Sequence, residues 1–291
     1  MEVLFDMSKP ISLNTDQAIV VTFGNFKGGT GKTTNSTMLA YTLAKQGYKV
    51  LLCDQDPQAN ATTLYLKTKA AREDNYITYE KTLMAAMQEG NLKDIVTEIV
   101  DNLYLLPSFS DFAQYPKFLE KRFENDSDRV MYLSTLLEPL KTEFDFIFID
   151  VPPTISIYTD SALYASDYVV VVLQTQERSL QGAEVFRGYL QELLDDYDAD
   201  FDILGILPVL LKNGAAVDLA TLENAKDAFG AHNLFESVIR NMERLKRYDI
   251  TGILEEDMHD KRVMTVYDTV AQEFLLRLQR EIEQSEDETH V

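Results

Sequence analysis

The feature that most constrains this chain lies in residues 18–54. A continuous apolar, β-branched run (AIVVTF, 18–23) meets a glycine-rich stretch (24–31). Met38, Leu39, Thr42 and Leu43 then fall on helical spacing, and Gly47 stands where a helix C-cap belongs. A second buried run, KVLLCD, fills 49–54. Runs apolar on every residue fit strands covered on both faces. Strand, loop, helix and strand within about 35 residues make a βαβ unit, hence a parallel sheet with a right-handed crossover.

The loop itself carries chemistry. Lys27-Gly28-Gly29-Thr30-Gly31-Lys32-Thr33-Thr34 lies between a buried strand and a helix, the context a phosphate-binding loop requires. Glycines let successive N–H groups turn inward as an anion nest, and the helix N-terminus adds partial positive charge. Lys32 reaches for the β- and γ-phosphates, and the Thr33 hydroxyl is a ligand for Mg²⁺. The strict G-x-x-x-x-G-K-[ST] pattern fails at its first position, Phe26, and Lys27 is an addition to it.

The alternation continues. Strands are predicted at 102–108, 144–150, 168–174 and 201–211, and helices at about 129–142, 179–197, 217–229 and 265–284. The expected fold is α/β: a doubly wound, mostly parallel sheet with helices on both faces, of the P-loop NTPase type. The domain reading is an N-terminal arm (1–17), one ATPase domain (18–284) with polar or irregular insertions near 67–81 and 109–128, and an acidic, frayed tail (285–291).

Composition removes several alternatives. Cys53 is the one cysteine, and His232, His259 and His290 are far apart, so a disulfide framework, a cysteine-held cluster and a His-built metal site are all disfavoured. Cys53, inside a buried run, reads as a small core residue. No apolar run reaches 18 residues and no signal segment opens the chain, which points to a cytoplasmic setting.

Two more segments end predicted strands at the edge where open α/β sheets bind ligands. Asp54-Gln55-Asp56-Pro57-Gln58-Ala59-Asn60 offers two carboxylates to hold metal-bound water and orient an attacking water. Asp150 ends FDFIFID ahead of Val151-Pro152-Pro153, the place of a Walker-B carboxylate holding Mg²⁺ through its waters. Gln174–Leu180 points at the same edge.

Together these motifs resemble the deviant Walker-A ATPases of the ParA/MinD family: KGGxGKTT at Lys27–Thr34, D-x-DPQ-x-N at Asp54–Asn60, and IIIDxPP at Ile147–Pro153. The DPQ-x-N form and Val238-Ile239-Arg240-Asn241 look most like ParA-type plasmid or chromosome partition ATPases. The resemblance implies ATP and Mg²⁺ as ligands and a nucleotide-sandwich homodimer. It implies that Lys27 reaches the partner's phosphates, Lys32 binds phosphate, Asp56 positions the hydrolytic water, Thr33 and Asp150 hold the metal, and Asp54 supports the metal shell. Gly28, Gly29, Thr30, Gly31 and Thr34 would complete the nucleotide loop. Adenine contacts would come, largely through backbone, from Leu207–Leu211 and Val238–Asn241, with Leu210 and Asn241 as the named candidates. It further implies nonspecific DNA binding by the ATP dimer, on the nucleoid, and a ParB-type centromere-binding partner that stimulates hydrolysis. The stretch before the loop is too short for the helix-turn-helix domain of the larger ParA proteins, so autorepression is not expected.

Net charge pulls against DNA. The chain carries 48 acidic and 27 basic residues, a net of −21, which repels a duplex at long range. The best local basic stretch holds Arg240, Arg244, Lys246 and Arg247 against Glu243 and Asp249, with Lys261 and Arg262 following. Two other functions compete with this one. A MinD-like membrane-positioning ATPase needs a basic amphipathic C-terminal helix, and the acidic tail here predicts no membrane partner. A nucleotide-binding scaffold without turnover has no need of Asp56 or Lys27.

Overall fold

A computed structural model describes residue 13 and residues 15–73, 80–210, 212 and 215–289 of the chain. Most of the expected arm (1–17) and part of the expected 67–81 insertion therefore lie outside the described residues, as do the last two residues of the tail.

Seven strands form one sheet: β1 (Ile19–Gly24), β2 (Val50–Asp54), β3 (Thr97–Val100), β4 (Leu103–Leu106), β5 (Phe146–Asp150), β6 (Tyr168–Gln174) and β7 (Asp202–Val209). Their order is β3-β4-β2-β5-β1-β6-β7. All pairings are parallel except β3 with β4. The helices are α1 (Lys32–Lys45), α2 (Asn60–Ala70), α3 (Leu83–Glu89), α4 (Tyr115–Arg122), α5 (Asp126–Leu137), α6 (Ile157–Tyr164), α7 (Glu177–Tyr197), α8 (Ala216–Phe229), α9 (Glu243–Thr251) and α10 (Met258–Thr289). The doubly wound parallel sheet read from the six apolar runs is the observed fold.

Strand alternation divides the core between the two faces. Val21, Phe23, Leu52, Phe146 and Phe148 pack with α1 and α10, where Phe148 meets Phe274 at 5.7 Å between ring centroids. Val20, Leu51, Ile147 and Ile149 face the other way, onto α3 to α6. Both sets are buried, so the central strands are apolar at nearly every position and their runs show no alternation in sequence. The Cys53 thiol lies in the second set, its pKa pushed up to about 12 by burial, as a core residue's would be.

Three expectations change. The edge strand β3 was not predicted: it is four residues long, only Ile99 is buried, and its pairing with β4 shifts register between Glu98 and Val100. The 109–128 segment is largely helical rather than irregular. Pro116 sits in the first turn of α4, and Phe112, Tyr115 and Leu119 are wholly buried. Residues 67–70 complete α2 rather than opening an insertion. Among the described residues no helix is long and apolar enough to cross a membrane.

Candidate functional site

β1 sits between β5 and β6, so the loop leaving its C-terminal end opens where the strand order reverses. Gly24, the last residue of β1, lies against the Phe186 ring of α7. A Cβ there would fall 2.2 Å from the ring, so only glycine lets α7 close on the loop. Asn25 then fixes the entry: its side-chain amide donates to the Val172 carbonyl (2.9 Å) and its Oδ1 accepts from the Lys27 N–H (2.9 Å). Gly29 and Gly31 have φ of 73° and 94°, the left-handed conformation that turns N–H groups into a nest. The buried Thr30 hydroxyl oxygen has no hydrogen-bond partner among the described residues. α1 starts at Lys32, whose side chain is buried.

The carboxylates converge on this loop through strand register. Phe23 stands opposite Asp150, and Asp150 opposite Asp54. The Thr33 hydroxyl donates to Asp150 Oδ2 (2.7 Å), and the Ser36 hydroxyl lies 3.3 Å from Asp150 Oδ1. Asp54 is engaged more heavily than its sequence position suggests. Its Oδ1 accepts from the Asp56 N–H (3.1 Å), and its Oδ2 accepts from both the Thr62 N–H (2.9 Å) and the Thr62 hydroxyl (2.7 Å). With four lone-pair sites on a carboxylate, that leaves at most one for a metal-bound water. Asp56 is nearly buried, and its Oδ1 accepts from the Gln58 N–H at 2.9 Å.

Burial and mutual repulsion raise the pKa of the two buried carboxylates. Burial pushes Asp150 up to about 7, and the neighbouring Asp54 charge adds to it; burial likewise raises Asp54 to about 6. Burial lowers the Lys32 pKa, against the attraction of Asp150 and Asp56. Clustered carboxylates that disfavour one another's charge create a negative potential that a divalent cation relieves. Because Thr33 spends its proton on Asp150, its oxygen lone pairs remain for a cation. Hydroxyl and carboxylate oxygens are the hard donors that Mg²⁺ takes. The residues present therefore fit Mg²⁺. Among the described residues no cluster of three His, Cys, Asp or Glu side chains has metal-site geometry, so such an ion would need oxygens from a bound phosphate.

Beside the loop opens a cleft of 240 Å³ lined by the loop, the end of β7 and residues 239–242. The 239–242 segment gets there by extending the sheet: Ile239 N–H donates to the Pro208 carbonyl (2.9 Å) and Leu210 N–H to the Ile239 carbonyl (2.8 Å). Leu210 and Asn241, the adenine candidates, both line the cleft. So do Leu245 and Asp249 of α9 and Tyr267 of α10, none of which a motif marks. The Tyr267 hydroxyl donates to Asn35 Oδ1 (2.8 Å), and the Asn35 amide caps the loop at the Gly31 carbonyl (2.8 Å).

The basic stretch separates. Arg244 is not a free cation: it pairs with Asp257 and, at 3.4 Å, with the buried Asp260, and its side chain is 11% exposed. It ties α9 to the start of α10, so its charge is already engaged within the fold. Arg240 and Lys246 line the cleft, and Lys246 pairs with Glu243 at 2.8 Å. Arg247 is exposed and makes no ion pair among the described residues. Sequence spacing shows charge density but not which carboxylates a fold brings to each cation. Arg178 on α7 was also missed. Its charge, after burial, lowers the Lys27 pKa.

A family model described as an AAA domain matches residues 18–203. The chain is 31% identical to the chromosome-partitioning ATPase Soj of Thermus thermophilus, over 77% of this chain and 82% of that one. Among solved structures, the ATP complex of a McdA variant from Cyanothece superposes with a TM-score of 0.73 at 20% identity, over 90% of this chain and 97% of that one. Cobyrinic acid a,c-diamide synthase from Mycobacterium smegmatis, with a bound ATP analog and magnesium, superposes with a TM-score of 0.63 at 25% identity, over 73% and 83% of the two chains.

Proposed function

The chain belongs to the ParA/MinD superfamily of P-loop ATPases, and from that premise we propose that it is a DNA-segregation ATPase whose ATP-bound homodimer holds DNA nonspecifically until a ParB-type partner stimulates hydrolysis. It is an ATPase of the Soj/ParA partition kind, with ATP and Mg²⁺ as its ligands. The observation that carries the mechanism is the meeting of Thr33, Asp150 and the buried Lys32 beside the glycine nest, across strands distant in sequence. The nest and Lys32 hold the β- and γ-phosphates. Thr33 and Asp150 hold Mg²⁺, with Asp54 behind them. When bound, the metal neutralises charge on the phosphate oxygens. Asp56, with its second oxygen uncommitted, orients the attacking water. Leu210 and Asn241 border the base.

Lys27 is the residue we assign to the dimer. It lies half-buried in the loop, and the family resemblance assigns it to the partner subunit's phosphates. Lys27→Ala is expected to bind MgATP like the parent but to stay monomeric, as read by light scattering with and without ATP. An ATP-dependent dimer of this variant would remove the cross-subunit role.

The DNA reading rests on the family premise and on Arg247, with Lys261 and Arg262 as further exposed cations nearby in sequence. Screening beyond ~8–10 Å lets local contacts act despite the net charge. Duplex binding should therefore need ATP and Mg²⁺ and weaken steeply with salt, each contacted phosphate contributing about −0.9 to the log–log slope. Arg247→Glu combined with Lys261→Glu and Arg262→Glu should abolish it without changing ATP affinity. Arg244→Glu should instead lower the melting temperature, because it opposes Asp257 and Asp260. Parent-like DNA binding by the triple variant would place the DNA surface elsewhere. The whole proposal is tested by ATP turnover measured alone, with duplex DNA, and with a basic DNA-binding protein encoded beside it.

A further inference from the structure

Asp54, and through it the backbone of Asp56, is held by a residue outside their shared motif. We infer that Thr62, in the first turns of α2, is a positioning residue for the catalytic carboxylate Asp56, acting through Asp54. The inference rests on the reading of Asp56 given above.

The hydrogen bonds run in one direction. The Ser108 N–H, just past the end of β4, donates to Thr62 Oγ1 at 2.9 Å. With that oxygen accepting, the Thr62 hydroxyl proton is directed to Asp54 Oδ2 at 2.7 Å, where the Thr62 N–H also arrives at 2.9 Å. Asp54 Oδ1 in turn accepts the Asp56 N–H at 3.1 Å. Asp54 and Thr62 are wholly or almost wholly buried, so water is a poor substitute for either donor. Asp54 is thus a bracket. One oxygen is anchored twice on α2, and the other holds the backbone of Asp56 at the turn that leaves β2.

The turn needs such a bracket. Ala59, before α2, has a φ of 56°, a left-handed conformation that a residue with a Cβ adopts only when its surroundings impose it. Thr62 pins the helix on the far side of that turn to the strand end on the near side. If the pin loosens, Asp56 drifts while the phosphate loop, built on β1 and α1, stays in place. Small misplacements of a catalytic group cost rate rather than binding, about 10²-fold for 1 Å. Loss of a comparable outer hydrogen bond costs ~10–100-fold at metal sites.

The test is steady-state ATP turnover by Thr62→Val, Thr62→Ala and Thr62→Ser, with active sites counted by ATP-binding stoichiometry. Thr62→Val keeps the shape and removes the hydroxyl; Thr62→Ala serves if the valine chain does not fold; Thr62→Ser keeps the donor. The expected result is kcat lowered ~10–100-fold in the hydroxyl-less variants with KM for ATP unchanged, and restored by serine. Adding Thr62→Val to Asp56→Ala should lower kcat no further, because the effect passes through Asp56. Parent-like kcat in the hydroxyl-less variants, a raised KM at constant kcat, equal damage by serine and valine, or additive damage in the double variant would each overturn the inference. Parent-like turnover by Asp56→Ala alone would instead overturn the reading of Asp56 on which it rests.

Discussion

Lys32→Ala is expected to lose MgATP binding by ~10²-fold or more. A hydrogen bond to a charged group contributes about 1.5–3 kcal/mol, and Lys32 is placed to make more than one to the β- and γ-phosphates. The site amplifies the loss. Lys32 is the buried cation facing Asp150 and Asp56, and without it those carboxylates repel an incoming triphosphate. Dimerisation and DNA binding should disappear with the nucleotide, since both are proposed to need it. Titration calorimetry reads the result directly, and an undiminished MgATP affinity would remove the loop from its assigned role.

Asp56→Ala should separate binding from chemistry. The glycine nest, Lys32, Thr33 and Asp150 are all left intact, so MgATP should bind with the parent's affinity. The removed carboxylate has one oxygen committed to the Gln58 N–H and one free to orient water. Phosphoryl transfer depends mostly on positioning and electrostatics, and loss of a group acting on the nucleophile typically costs ~10²–10⁴-fold. We therefore expect turnover at least ~10²-fold slower and an ATP dimer that persists long after mixing. Asp56→Asn should behave similarly, because the amide preserves the turn but not the acceptor charge. Turnover at the parent's rate in either variant would take Asp56 out of the mechanism.

The legible parts of the site share one property: they sit where a buried strand ends. In a parallel sheet every strand delivers its C-terminal residue to the same edge, so a polar residue closing an apolar run is marked twice, by chemistry and by place. Asp54, Asp150 and the loop after β1 were readable on that ground. Leu245, Asp249 and Tyr267 were not, since they belong to helices that reach the cleft only by packing over it. Arg244 misled for the converse reason: among local neighbours it is one cation in a basic stretch, whereas its partners Asp257 and Asp260 arrive from α10 and the residues before it.

The sequence alone determined the strand–loop–helix unit, the parallel sheet and the sort of ligand its loop takes. Those follow from short-range forces: burial of apolar runs, glycine's access to left-handed backbone, and the dipole at a helix start. Only the tertiary structure decided that Asp54 stands opposite Asp150, that Thr33 spends its proton on a carboxylate 117 positions away, and that Thr62 joins Ser108 to Asp54. Each of those contacts depends on strand register and helix docking, which are set by the close packing of the whole core rather than by any neighbouring residue.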